Sequence, residues 1–185
     1  MREQTVVLAG RRIDAQDDQP PRFPLNNVEA VRARLKKVFK DRATLVCSAA
    51  CGADLIALEE ASSERMQCKV ILPFSRQSFR DTSVVDRPGN WGPLFDRIID
   101  DVEEKGDLLV LSSHPEEKDA YAKVNTEILR QGLPMTSSKA GEVLAVIVWE
   151  GSSRGPGDLT AAFLKQAGQE GYRILEVPTS GENRP

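Results

Sequence analysis

The 185-residue chain has no apolar run near the roughly 20 residues needed to cross a bilayer, and its first residues lack a basic-then-apolar leader. A soluble, cytoplasmic protein without membrane contact is the expectation. Cysteine is scarce and odd in number. Cys47 and Cys51 stand in a C-x3-C spacing that is neither a redox C-x-x-C nor a zinc pattern, and Cys68 is the third. All three read as reduced thiols, with no metal or other cofactor implied. A basic excess is also missing. With 25 basic against 28 acidic residues the net charge is -3, which argues against a broad surface for duplex nucleic acid. There is no H-E-x-x-H, no G-x-S-x-G, no Walker A lysine and no G-x-G-x-x-G. The single histidine, His114, lies in a Ser-Ser-His-Pro loop without an evident partner, open to an acid-base role or to plain solvation.

What is present is a regular alternation of patterns. Short apolar or β-branched runs at 5–9, 44–47, 68–72, 144–149 and 173–177, with a further one inside 107–112, predict six strands. Between them, apolar residues recur at helical spacing: Val28, Val31, Leu35 and Phe39; Leu55, Leu58 and Ala61; Leu94, Ile98 and Val102; Ala120, Val124 and Ile128; Leu159, Phe163 and Ala167. Asn26 or Asn27 is the expected cap of the first helix. Residues 11–24, with three prolines, read as a long functional loop; the passage 74–92 is mixed in polarity, and within it Phe79 to Trp91 reads as a lid. Continuous apolar strands alternating with helices imply an α/β Rossmann-like, doubly wound, mainly parallel sheet of about six strands, covered on both faces. One domain over 1–179 is expected, with 180–185 as a frayed tail.

Ligands in such sheets sit beyond the carboxyl ends of the strands, near a switch in strand order. The turn Ser48-Ala49-Ala50-Cys51-Gly52-Ala53-Asp54 joins strand two to its helix. Small side chains there would let backbone N–H groups approach a phosphate at a helix start. Its plainer reading is a tight turn packing helix on sheet. Asp54 could cap that helix or meet a sugar hydroxyl. Gly10-Arg11-Arg12 places two guanidiniums after strand one, to grip an anion or to lie solvated. A second small-residue junction follows strand five, with Arg154, Gly155, Gly157, Asp158 and Thr160, as an opposing phosphate cradle or as a linker. Phe79, Trp91, Tyr121 and Asn125 form a base-binding set if their segments converge, and Ser83 is a further ligand-binding candidate. Each of them has an ordinary packing alternative.

The order of these parts resembles the SLOG superfamily, which unites DNA-processing Smf/DprA proteins with the LOG cytokinin-activating enzymes, and the resemblance covers nearly the whole chain. The Ser48 to Asp54 turn is similar to the S-G-x-A-x-G-x-D turn of Smf/DprA domains, with Ala49 replacing the first glycine and Cys51 where arginine is common. The run from Gly155 to Thr160 looks like a diverged LOG P-G-G-x-G-T-x-x-E motif. The resemblance implies a Rossmann-like fold and a nucleotide site. LOG enzymes cleave the N-glycosidic bond of a nucleoside monophosphate with an arginine and the glutamate of that motif, whereas Phe163 stands at the glutamate's place here. The reading that follows is a binding domain for a nucleotide or nucleotide-derived second messenger, as in bacterial defence or signalling systems. Its output would pass to an effector protein or through a homo-oligomer. The alternatives are a nucleotide glycosidase or hydrolase using Asp158, Asp54 or Asp86, and single-stranded DNA binding.

Overall fold

A computed structural model describes residues 4–133 and 142–181. Its sheet holds β1 (Thr5–Gly10), β2 (Thr44–Cys47), β3 (Gln67–Leu72), β4 (Leu108–Val110), β5 (Leu144–Trp149) and β6 (Arg173–Pro178). The strands run parallel throughout in the order β4-β3-β2-β1-β5-β6. The expected strands are therefore present, β4 lying within 107–112. Because side chains alternate across a strand, Leu144, Val146 and Val148 of β5 enter one core while Ala145, Ile147 and Trp149 enter the other. That explains why β5 reads as an unbroken apolar run.

The first core is roofed by α1 (Val28–Phe39), α2 (Ala53–Ser63) and α4 (Gly92–Glu104), the second by α5 (Ala120–Gly132) and α6 (Leu159–Gln169). Amphipathic α1 buries only Val31, Leu35 and Phe39. In contrast α2 buries residues all round, since the sheet, α1 and α4 enclose it.

Two local expectations change. Within the passage read as a loop lies a further helix, α3 (Arg76–Ser83), whose first turn is capped by the Ser75 hydroxyl accepting from the Ser78 N–H. Only Phe79 and Ser83 of α3 are buried, so its sequence carries too thin an apolar stripe to show. Asn27 does not cap α1; its side-chain amide donates to the Thr179 carbonyl at 2.8 Å. That bond helps fix the chain end. Arg34 adds bonds to the carbonyls of Pro178 and Gly181, at 2.6 and 2.8 Å, so the segment expected to fray is held as far as 181. Residues 182–185 lie outside the described residues.

β1 lies between β2 and β5, where strand order reverses. The chain leaves β1, β2 and β3 toward one face of the sheet, and β4 and β5 toward the other. A crevice opens at the carboxyl end of that switch.

Candidate functional site

A cleft of about 490 Å³ occupies this crevice. Its floor is the end of β1 with Ser48, Ala50 and Asp54; its walls come from the loop 11–24, from Phe79 and Ser83 of α3, from Tyr121, Val124, Asn125 and Ile128 of α5, and from Leu159 and Thr160 of α6. Two glycines make the floor possible. A Cβ on Gly10 would lie 2.4 Å from Ala53 Cβ, and one on Gly52 would lie 2.8 Å from the Arg11 carbonyl oxygen. Gly52 also sits at φ 98°, in the left-handed region that favours glycine. These contacts seat the start of α2 directly on the end of β1. Ala49 and Cys51 are buried beneath the turn in the first core.

The turn does not offer its amides freely. The Ala50 N–H donates to Asp54 (3.2 Å), Cys51 N–H to the Ser83 carbonyl (3.0 Å) and Ala53 N–H to the Arg11 carbonyl (3.1 Å). At the second junction Asp158 caps α6 by accepting from Thr160 and Ala161 N–H (3.1 and 3.2 Å), and it also accepts from Arg154 N–H (2.7 Å). Gly155 N–H donates to the Ser153 hydroxyl, and Gly155 and Gly157 are exposed outside the cleft lining. The opposing backbone cradle expected there is a self-satisfied cap. With these amides engaged, the arginine side chains lining the cleft are its strongest anion donors.

Arg11 is the next correction. Its guanidinium is 3% exposed and donates to Glu150 (2.7 and 3.0 Å), to Asp158 (2.6 and 2.9 Å) and to the Ser152 carbonyl (2.9 Å). The Trp149 ring lies 5.7 Å beneath it, and Arg22 also pairs with Glu150. Burial alone would raise the Asp158 carboxyl, but Arg11 together with the Arg154 and Ala161 N–H groups outweighs it and holds the group well below the usual carboxylate range. Arg11 therefore has no fork left for a phosphate. Asp158 has neither the protonation state nor the free oxygen that an acid-base role would need.

Arg12 is turned the other way. Its Nη2 reaches both oxygens of Asp86 at 2.5 Å, while Arg87 donates to Asp18 at 3.0 Å, so two ion pairs join the loop 11–24 to the segment after α3. Arg12, Arg22, Arg87 and Arg154 all line the cleft. Arg22, Arg87, Asp18 and Glu150 were not singled out in the sequence. Glu150 carried a usable signal, being an acid directly after a predicted strand.

Asp54 is a buried carboxyl on the cleft floor. Burial pushes its pKa up to about 7, against the Ala50 N–H and Arg12, which both pull it down. Burial likewise raises the Cys51 thiol, opposed by Arg12.

The aromatic set converges only in part. Phe79 is buried and stacked on Phe95 at 6.1 Å. Tyr121 meets Phe74 edge-on and shares a 2.8 Å hydrogen bond with the buried Ser83 hydroxyl. Asn125 lines the cleft and donates to the Leu159 carbonyl at 2.9 Å. Trp91 is elsewhere: its ring N–H donates to the Pro88 carbonyl and it borders a separate groove with Leu25 and Arg32. His114 is exposed and outside the cleft lining. Among the described residues no group of three or more His, Cys, Asp or Glu could hold a metal ion, and no helix is long and apolar enough to cross a membrane.

A doubly wound, wholly parallel sheet with a cleft at the strand-order switch defines a Rossmann-like α/β class of fold. Within that class, its architecture is similar to that of a DNA-processing protein. DNA processing protein A from Streptococcus pneumoniae superposes with a TM-score of 0.56 at 15% identity, over 96% of this chain and 51% of that protein, so the chain spans about half its length. The Moco carrier protein from Chlamydomonas reinhardtii aligns at 13% identity with a TM-score of 0.48, over 95% of this chain and 76% of that one. By sequence, no family model and no curated protein matches the chain.

Proposed function

We propose that the cleft binds a nucleotide or nucleotide-derived messenger and that the domain acts as a sensor without turnover. The observation that carries this reading is the convergence of Arg12, Arg22, Arg87 and Arg154, from three separate connections, on one cleft at the sheet's switch point. Guanidiniums grip phosphates by paired N–H bonds and keep their charge at any physiological pH. Tyr121, Asn125 and the apolar pair Val124 and Ile128 then offer a mixed face for a base or sugar. Lack of turnover is supported by two carboxylate positions. Asp158 is locked to Arg11, and Phe163, where a LOG-like catalytic acid would stand, is wholly buried in the second core.

A sensor needs an output, for which an effector protein or a second copy of the chain is the proposed recipient, in a bacterial defence or signalling setting. The first test is a thermal-shift screen of nucleotides and cyclic or linear dinucleotides. A ligand at 100 times its dissociation constant stabilises by about 2.7 kcal/mol. The shift should vanish in Arg12→Ala plus Arg87→Ala. No shift across the panel would refute the nucleotide site.

One observation favours a second reading. Asp54 is a cleft-floor carboxyl poised near neutrality, the condition a general acid requires. Under that reading the protein is a nucleoside-monophosphate glycosidase or nucleotide hydrolase. Steady release of base from purine or pyrimidine monophosphates, abolished in Asp54→Asn, would establish it over the sensor.

A further inference from the structure

The two ion pairs at the cleft's edge differ in kind from the pair beneath it. Arg11 and Asp158 are 3% and 1% exposed, whereas Arg12 and Asp86 are 30% and 33% exposed, and Arg87 and Asp18 are 25% and 49%. The deep pair is a fixed part of the core. The outer pairs are open to exchange with solutes, and such exposed pairs hold only weakly. Their geometry is also unusual. One oxygen of Asp86 is shared: it lies 2.5 Å from Arg12 Nη2 and 3.7 Å from Arg87 Nε. A carboxylate thus sits between two guanidiniums that both line the cleft. Arg12 Nε, moreover, is buried without a hydrogen-bond partner, so its fork is incompletely satisfied by Asp86.

We propose that Asp86 is a built-in occupant of the phosphate seat, filling the place between Arg12 and Arg87 that an anionic group of the ligand takes over on binding. This rests on the nucleotide reading above and adds its regulation. A phosphoryl group accepts the same paired N–H bonds as a carboxylate, but brings more oxygens and more charge, so it can serve both arginines together. Entry of the ligand releases Asp86, and with it one of the two ties between the loop 11–24 and the segment 84–91, the other being Arg87 on Asp18. Trp91 stands at the end of that segment, bonded to Pro88. Ligands with two or more negative charges on adjacent phosphoryl groups displace the carboxylate; singly charged ones do not. Asp86 therefore sets a charge threshold as well as a resting state.

The test is calorimetric titration with inorganic pyrophosphate at fixed ionic strength, using the full chain as wild type, Asp86→Asn and Arg12→Ala, with Trp91 fluorescence followed in a Trp149→Phe background. Asp86→Asn should bind pyrophosphate roughly two- to fivefold tighter, the range given by removing an exposed competitor ion pair. Arg12→Ala should bind it more weakly than wild type. Pyrophosphate should change Trp91 emission in the parent, and Asp86→Asn should show the changed emission before any ligand is added. Equal or weaker binding by Asp86→Asn overturns the internal occupant while leaving a wild-type anion site intact. If neither protein binds pyrophosphate, the seat is refuted, and only a silent nucleotide panel would take the underlying reading down with it.

Discussion

Replacing Arg11 by methionine keeps most of the side-chain volume and removes the charge that two acids share. Glu150 and Asp158, whose side chains are 9% and 1% exposed, would then lose four charge-assisted hydrogen bonds at one stroke, retaining Arg22 and the α6 amides respectively. Breaking one side of a buried pair costs about 3–5 kcal/mol, because a carboxylate stays in low dielectric without its partner. At about 2–4 °C per kcal/mol for a domain of this size, the melting temperature should fall by on the order of 10 °C. The loss should depend on pH in a definite direction. Both acids are held below their ordinary values in the folded protein, so the stabilisation from Arg11 is complete at neutral pH and fades as pH falls from about 4 toward the lower folded values. The gap between wild type and Arg11→Met, measured by urea unfolding, should thus narrow between pH 7 and pH 3. Adding Asp158→Asn should recover part of the loss, since asparagine still caps α6 while carrying no charge. A gap under about 1 kcal/mol at pH 7, or one that stays constant down to pH 3, would refute this account of the network.

Gly52→Ala should cost about 2 kcal/mol in urea unfolding, through the φ of 98° and the 2.8 Å approach to the Arg11 carbonyl, whereas Gly151→Ala, at φ 90° with nothing within 4 Å, should cost less. Asp54→Asn should become stabilising relative to wild type as pH rises. The folded carboxyl titrates near 7 and the unfolded one near 4, so wild-type stability falls between those values, by roughly 2 kcal/mol from pH 5 to pH 7, and the variant's does not. A parallel pair of pH profiles would contradict the buried neutral acid. Tyr121→Phe should cost about 1 kcal/mol by leaving the buried Ser83 hydroxyl unpaired, read as a shift in the urea midpoint without change of slope.

The sheet was legible because β1, β2 and β5, beside the switch point, are continuous apolar or β-branched runs, and parallel burial imposes that pattern on the sequence. The position of the cleft followed from it, since the loops after β1, β2 and β5 must meet at one edge. The roles of individual side chains did not. Arg11 and Arg12 are adjacent and chemically identical, and both follow the end of β1 at Gly10, yet only the first stays against β5. Arg11's backbone N–H still bonds β5, and its side chain falls inward to Glu150 and Asp158, while Arg12 leaves the sheet for the opposite loop. Which of two neighbouring arginines becomes core and which faces ligand is decided by partners 139 and 74 residues away, and no local pattern encodes those distances. The same holds for Asp158. As a residue before a helix it signalled a cap, a carboxylate acid and a phosphate cradle equally well, and only the arrival of Arg11 selects the first. The division of charge that results is the basis of the proposed function: one arginine is spent on holding β5 and α6 together, which leaves the other, paired only at the surface, available to an anion.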